Sequence, residues 1–243
     1  NEKKYAGEIL IDSLEAYYPP KYDESIAPKE SKFIDEKNTK AEKLESGLSV
    51  VVSRLPEIKE ELDENVVQAI YSNIISATRG SDLSLIIGRA NNELNNNIKS
   101  NKIINIGAPY INHRYENLLI IDASSIRGGL RPTNPQQWIW LKEAINNTDK
   151  DHIILFLNTP ISGQGGFKDP LEAELLHNML SNCHEEGKSV WVIYPGSTTK
   201  VELKEGVRYM QLNNRPINNK EDLKYMNTIE FIINGEEISY QIH

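Results

Sequence analysis

The chain has 243 residues, of which 39% are hydrophobic and 26% charged, with a formal net charge of −8. That balance excludes disordered and fibrous classes, and the length suits one large α/β domain or a main domain with a small appendage. Without a clustered Lys/Arg stripe the acidic balance argues against a nucleic-acid partner, and apolar runs such as 153–157 and 190–194 are only a strand's length, so no transmembrane segment is expected. Asn1 is not an initiator methionine and no apolar signal segment follows it, so a processed form or a piece of a longer polypeptide is expected. The single Cys183 rules out an internal disulfide framework and reads as a packed helix residue.

Residues 1–47 differ from the rest. An apolar stretch over 8–18 predicts a strand ending at Pro19-Pro20, and the Lys/Glu-rich segment after it reads as a surface helix or a linker, most helical over 40–44. This region is expected to be an N-terminal extension or the remnant of a preceding domain, with the main domain over 48–243. From Gly47 onward short apolar runs alternate with amphipathic stretches, the pattern of α/β layering. Residues 48–53 predict a strand and 58–77 a helix, with Leu62, Val66, Ala69, Ile70 and Ile74 at helical spacing. Residues 83–88 close a βαβ unit. Strands follow over 103–106 and 118–122, then a helix over 135–145 with Pro135 in its first turn. A strand over 153–157, a helix over 171–186 closed by Gly187 and a strand over 190–194 repeat the pattern. Strands over 207–212, 228–233 and 237–242 end the chain, the last two joined by a hairpin signalled by Asn234-Gly235, whereas Asn95–Asn97 read as a turn.

Gly107-Ala108-Pro109-Tyr110, Tyr115-Glu116-Asn117-Leu118 and Ile121-Asp122, followed by Gly128-Gly129-Leu130-Arg131-Pro132-Thr133-Asn134-Pro135-Gln136-Gln137-Trp138, form a specific series. It resembles a strand pair and a Gly-Gly-Leu-Arg segment of the calcineurin-like metallophosphoesterases, secreted members in particular. Glu172–His177 resembles the helix after that family's His-His-Pro loop, and Gly206-Val207-Arg208-Tyr209 the strand after its Gly-His-x-His loop. The resemblance spans residues 49–210. It implies an α/β sandwich of two mixed sheets flanked by helices, and an activity that uses two divalent metals to activate a bridging water for phosphoester cleavage.

The ligand positions depart from the family's pattern. Ser53 and Leu55 stand where the resemblance implies Asp-x-His, and Arg89 stands at the bridging carboxylate. The loop with the family's Gly-Asn-His is deleted between Gly88 and Gly107. Asn158 stands at the next His-bearing strand end, and Ser197 and Thr199 stand in the Gly-His-x-His loop. Hydroxyl, alkyl and guanidinium groups are poor substitutes for the anionic oxygen and imidazole nitrogen donors such ions take. The expectation is therefore a catalytically degenerate domain without catalytic residues or metal, kept for a structural or binding role. Its partners would be other domains of a longer polypeptide or cell-surface components, its location secreted or at the cell surface. One alternative is a metal-dependent phosphohydrolase with a site rebuilt from Asp122, Asn158, His113 and His152. Another is a metal-free anion- or glycan-binding domain using Arg54, Arg89 and the Gly163–Gly166 rim.

Other candidates are weaker. His177 and His184 are two turns apart on their predicted helix, too far for one metal, and the five His read as solvated or hydrogen-bonded surface residues. Gly163-Gln164-Gly165-Gly166 lacks phosphate-loop spacing, and no basic or acidic partner can be assigned to Ser124, Ser125 or Ser197–Thr199 as nucleophiles. Trp138, Trp140 and Trp191 read as core or groove-lining, Trp140 the most exposed of them.

Overall fold

Along β5 (Leu118–Asp122), Leu118 and Ile120 enter one core while Leu119 and Ile121 enter another, because successive side chains of a strand point to opposite faces. A run apolar at every position is thus a strand covered on both sides. The same holds for the other central strands, and the whole is layered helix, sheet, sheet, helix. The computed structural model describes residues 47–107 and 110–243. The strand expected over 8–18, the helix over 40–44 and nearly all of the N-terminal extension lie outside the described residues.

The chain runs β1 (Leu48–Arg54), α1 (Glu64–Ala77), β2 (Leu83–Ile87), α2 (Asn92–Asn97), β3 (Lys102–Ile106), β4 (Ile111–Tyr115) and β5, then α3 (Leu130–Thr133), α4 (Gln136–Asn146), β6 (His152–Phe156), α5 (Pro170–Glu185), β7 (Ser189–Gly196), β8 (Lys200–Lys204), β9 (Val207–Asn213), a 3₁₀ turn (Lys220–Tyr225), β10 (Thr228–Asn234) and β11 (Glu237–Ile242). One sheet has the order β11-β10-β1-β2-β3 and the other β4-β5-β6-β7-β9-β8. β1, β2 and β3 are parallel, as are β5, β6, β7 and β9, while β10 and β11 in the first sheet and β4 and β8 in the second pair antiparallel. This is the α/β sandwich of two mixed sheets flanked by helices that the resemblance implies.

The facing cores follow from that alternation. Val50, Val52, Leu83 and Leu85 of one sheet meet Ile154, Phe156, Trp191 and Ile193 of the other, and Trp191 is fully buried edge-on against Phe231 at 4.9 Å. Outside the first sheet, Val66, Ile70 and Ile74 of α1 cover Ile86. Outside the second, Leu141 and Ile145 of α4 and Leu176 and Leu180 of α5 cover Ile153, Leu155 and Val192.

Several expectations are corrected. α1 begins at Glu64, not at 58, because the Asp63 carboxylate accepts the Asn65 N–H at 2.8 Å and caps the helix there. Asn95–Asn97 belong to the short helix α2, capped by Asn91, whose single buried residue is Leu94. β8 carries no period-2 signal because all five of its residues are half-buried, and it is held by pairing with β9. The final hairpin turns one residue later than expected: Asn234 pairs with Glu237, and Gly235, at φ +61°, leads the turn. Pro135 caps α4 from outside its first turn.

Candidate functional site

Parallel strands that share a direction end on a common edge, and there the two sheets splay around a cavity of about 150 Å³. Arg54 ends β1 and Asp122 ends β5 at its wall, Asn158 follows β6, and Ile87, Ile106, Phe156, Ile193 and Leu212 supply apolar sides. A wide open groove of about 1110 Å³ adjoins it, sharing Asn158, Tyr194, Pro195 and Asn214.

The positions that the resemblance marks as metal ligands are drawn into the framework to different degrees. Ser53 is buried on β1 and its hydroxyl meets that of Thr228 on β10 at 3.2 Å. Leu55 packs into the core beneath α1, with its N–H on the Ile87 carbonyl at 2.9 Å. Arg89, two residues beyond the Ile87 that pairs with Arg54, is exposed and lines neither the cavity nor the groove. The Thr199 hydroxyl donates to Asn227 Oδ1 at 2.6 Å and accepts the Asn213 N–H at 3.1 Å, tying the β7–β8 turn to the end of β9. Ser197 is exposed on the groove, with Gly163, Gln164 and Gly165 on the same rim.

Asn158 lines both cavity and groove. Its Oδ1 accepts the Ser124 hydroxyl at 3.1 Å and the Ser125 N–H at 3.0 Å, and two donors on one oxygen fix which half of the amide is which. The NH₂ makes no hydrogen bond among the described residues. Ser125, a candidate nucleophile by sequence, is buried, and its hydroxyl accepts the N–H groups of Asn158 and Thr159, each at 3.0 Å.

Arg54 is half-buried, and its one hydrogen bond among the described residues runs from Nη1 to the Asn213 carbonyl at 3.4 Å. Burial pushes its guanidinium below the usual value, and it remains cationic. Asp122 is buried and accepts the Gly107 N–H on Oδ2 at 2.6 Å. The Tyr194 phenol, pushed up to about 12 by burial and then by Glu202, stays protonated beside the groove.

The rebuilt metal site does not assemble. His152 begins β6 at the opposite edge of the sheet, fully buried with Nε2 2.7 Å from the Gly235 carbonyl, while Asp122 and Asn158 lie at the strand ends. His113 pairs across the ladder with Ile120, near Asp122, and burial and then Lys102 lower its pKa. Among the described residues no three His, Cys, Asp or Glu side chains come together as a metal-holding group.

Sequence reasoning missed two buried polar groupings, each joined over long sequence separations. Glu172, 1% exposed, accepts the Arg131 N–H at 2.7 Å and Trp138 Nε1–H at 2.8 Å on Oε1, and Arg131 also pairs with Asp169. The Gly128–Trp138 series that carries the resemblance is therefore a structural knot tying the loop after β5 to α4 and α5. His177, expected at the surface, is buried with Nδ1 2.7 Å from the Tyr209 hydroxyl and Nε2 3.0 Å from Glu205. Burial raises the Tyr209 phenol and lowers the His177 imidazole. The amphipathic pattern of α5 could have marked His177 as inward-facing, one turn after the buried Ala173.

No family model matches the chain, and no curated protein matches it in sequence. Several solved structures are similar in shape. One aligns over 80% of this chain and 98% of its own at 8% identity, with a TM-score of 0.47. A single mutant of Vps29 from Entamoeba histolytica aligns over the same shares at 8% identity and TM-score 0.36. An uncharacterised protein from Streptococcus pneumoniae TIGR4, described as a predicted phosphoesterase, covers 82% of this chain and 99% of its own at 8% identity and TM-score 0.35.

Proposed function

We propose that this chain is a catalytically degenerate, phosphoesterase-like domain whose cleft binds rather than cleaves, acting within a larger secreted or cell-surface protein. The observation that carries the reading is the fate of the ligand positions. Leu55 is core, Ser53 and Thr199 are bonded into the framework, the oxygen of Asn158 is taken by Ser124 and Ser125, and Arg89 is exposed outside the cleft. The likeness of residues 107–118 to secreted family members is what supports the extracellular part of this reading.

The donor chemistry of the cleft supports the same reading. Two divalent ions a few ångströms apart ask for several carboxylates and imidazoles. The cavity wall offers one carboxylate, Asp122, and carries the cation Arg54, which would repel a metal. These residues do not fit a two-metal centre.

Equilibrium dialysis of the full chain against manganese and against zinc tests this. The reading expects no pair of ions retained per chain. Two ions held tightly enough to survive buffer exchange would overturn it.

A further inference from the structure

Arg54 and Asn158 line one small cavity, and each carries N–H groups that make few hydrogen bonds among the described residues. The guanidinium of Arg54 has five N–H groups, and one long hydrogen bond to Asn213 O is all it makes among the described residues. Half-burying a cation without a counter-charge costs free energy, and such groups are ordinarily paired. Asn158 lines the same cavity, and its NH₂ makes no hydrogen bond among the described residues because both bonds of that amide go to its oxygen.

The rest of the lining narrows what could satisfy them. Ile87, Ile106, Phe156, Ile193 and Leu212 make the walls apolar, and about 150 Å³ is a volume that admits a benzene ring in an apolar protein void. Asp122 lines the same cavity, so a second negative charge on the ligand would meet a carboxylate. A single charged oxygen pair on a compact apolar body satisfies all three constraints, whereas a phosphate dianion satisfies only the first.

We propose that the cavity is a metal-free site for a small monocarboxylic acid with an apolar body, its carboxylate held by the Arg54 guanidinium and the Asn158 amide NH₂. The planar guanidinium matches a carboxylate through two parallel hydrogen bonds, and the ring or short chain displaces water from the apolar walls. This rests on the reading that the cleft binds and does not turn over.

The test uses the full chain and three probes: benzoate, its neutral isostere benzamide, and inorganic phosphate, each followed by calorimetry and by amide chemical shifts. Benzoate is expected to saturate at millimolar concentration, about ten-fold or more tighter than either other probe, and Arg54→Gln is expected to remove that advantage. Asn158→Asp, which places a like charge at the same spot, is expected to weaken benzoate in the same way. Benzoate that fails to saturate, binds no better than benzamide, or binds more weakly than phosphate would overturn the proposal. The benzoate-to-benzamide ratio is read on the wild-type chain, so it decides even where a variant does not fold. Metal-dependent phosphoester hydrolysis would instead sink the reading beneath it, whatever benzoate does.

Discussion

Glu172 and Arg54 meet burial in opposite ways. Glu172 has its charge answered on one oxygen by a backbone N–H, an indole N–H and the Arg131 guanidinium, the last at 3.8 Å, all from the segment that carries the family likeness. Arg54 stands at the strand ends with a single long contact to a carbonyl. Glu172 Oε2 is buried without a hydrogen-bond partner among the described residues, so its charge is answered on one side only. A charge answered by several donors of its own chain is a building element, and one with a single long contact beside a cavity is available to something else. The Gly128–Trp138 part of the likeness therefore lies in the knot, whereas Gly107 and Asp122 of the same likeness line the cavity, so the knot can persist while the cleft's chemistry changes.

The largest expected effect is on the knot. Glu172→Ala leaves the Trp138 and Arg131 donors without their acceptor and should cost about 3 kcal/mol in urea unfolding, with benzoate binding by the folded fraction unchanged. A loss near that of a surface pair, under about 1 kcal/mol, would erase the contrast. Gly129→Ala comes next. Gly129 has φ +145°, and an added Cβ would lie 2.4 Å from Glu172 Oε2, so a cost of about 2 kcal/mol is expected by the same measurement.

A pH series sharpens the comparison from a third buried group. His177 binds its proton at the ordinary value of 6.5 when unfolded but only at lower pH in the fold, chiefly because of burial and then Lys204. Its contribution to stability is thus full above 6.5, declines as pH falls below that, and is gone below the lowered native value. Urea midpoints should fall over that window, and His177→Gln should flatten part of the fall. His113, also lowered, accounts for a remainder.

Arg54 should show the smallest effect on stability. Arg54→Met removes a half-buried cation that its own fold barely satisfies, so stability should stay within about 1 kcal/mol of the parent or rise. A loss as large as that of Glu172→Ala would make Arg54 a second structural charge and end the comparison.

Much of the layering was legible because it is local. Continuous apolar strands such as Leu118–Asp122 and Val190–Tyr194, and helical spacing such as Val66, Ile70 and Ile74, declare their elements in sequence. β8 escaped because its half-buried residues alternate nothing, and α1 was drawn too long because Leu62 continues the apolar spacing before the Asp63 cap. In the cleft, strand direction brings Arg54, at the end of β1, and Asn158, two residues after β6, to one cavity. The absence of Arg89 from the cavity wall and the capture of the Asn158 oxygen depend on loop conformation and on partners more than thirty residues away, which no spacing encodes. The knot is legible in sequence only as a likeness, because Glu172 lies 34 positions from Trp138.

The most direct test of the central claim is turnover. The purified full chain, loaded in turn with manganese, zinc, iron and calcium, is offered an aryl phosphodiester beside a chelator-treated control. The account predicts hydrolysis at the control rate with every metal. Metal-dependent turnover well above the control would contradict it and place a working centre among residues to which this account assigns packing and binding.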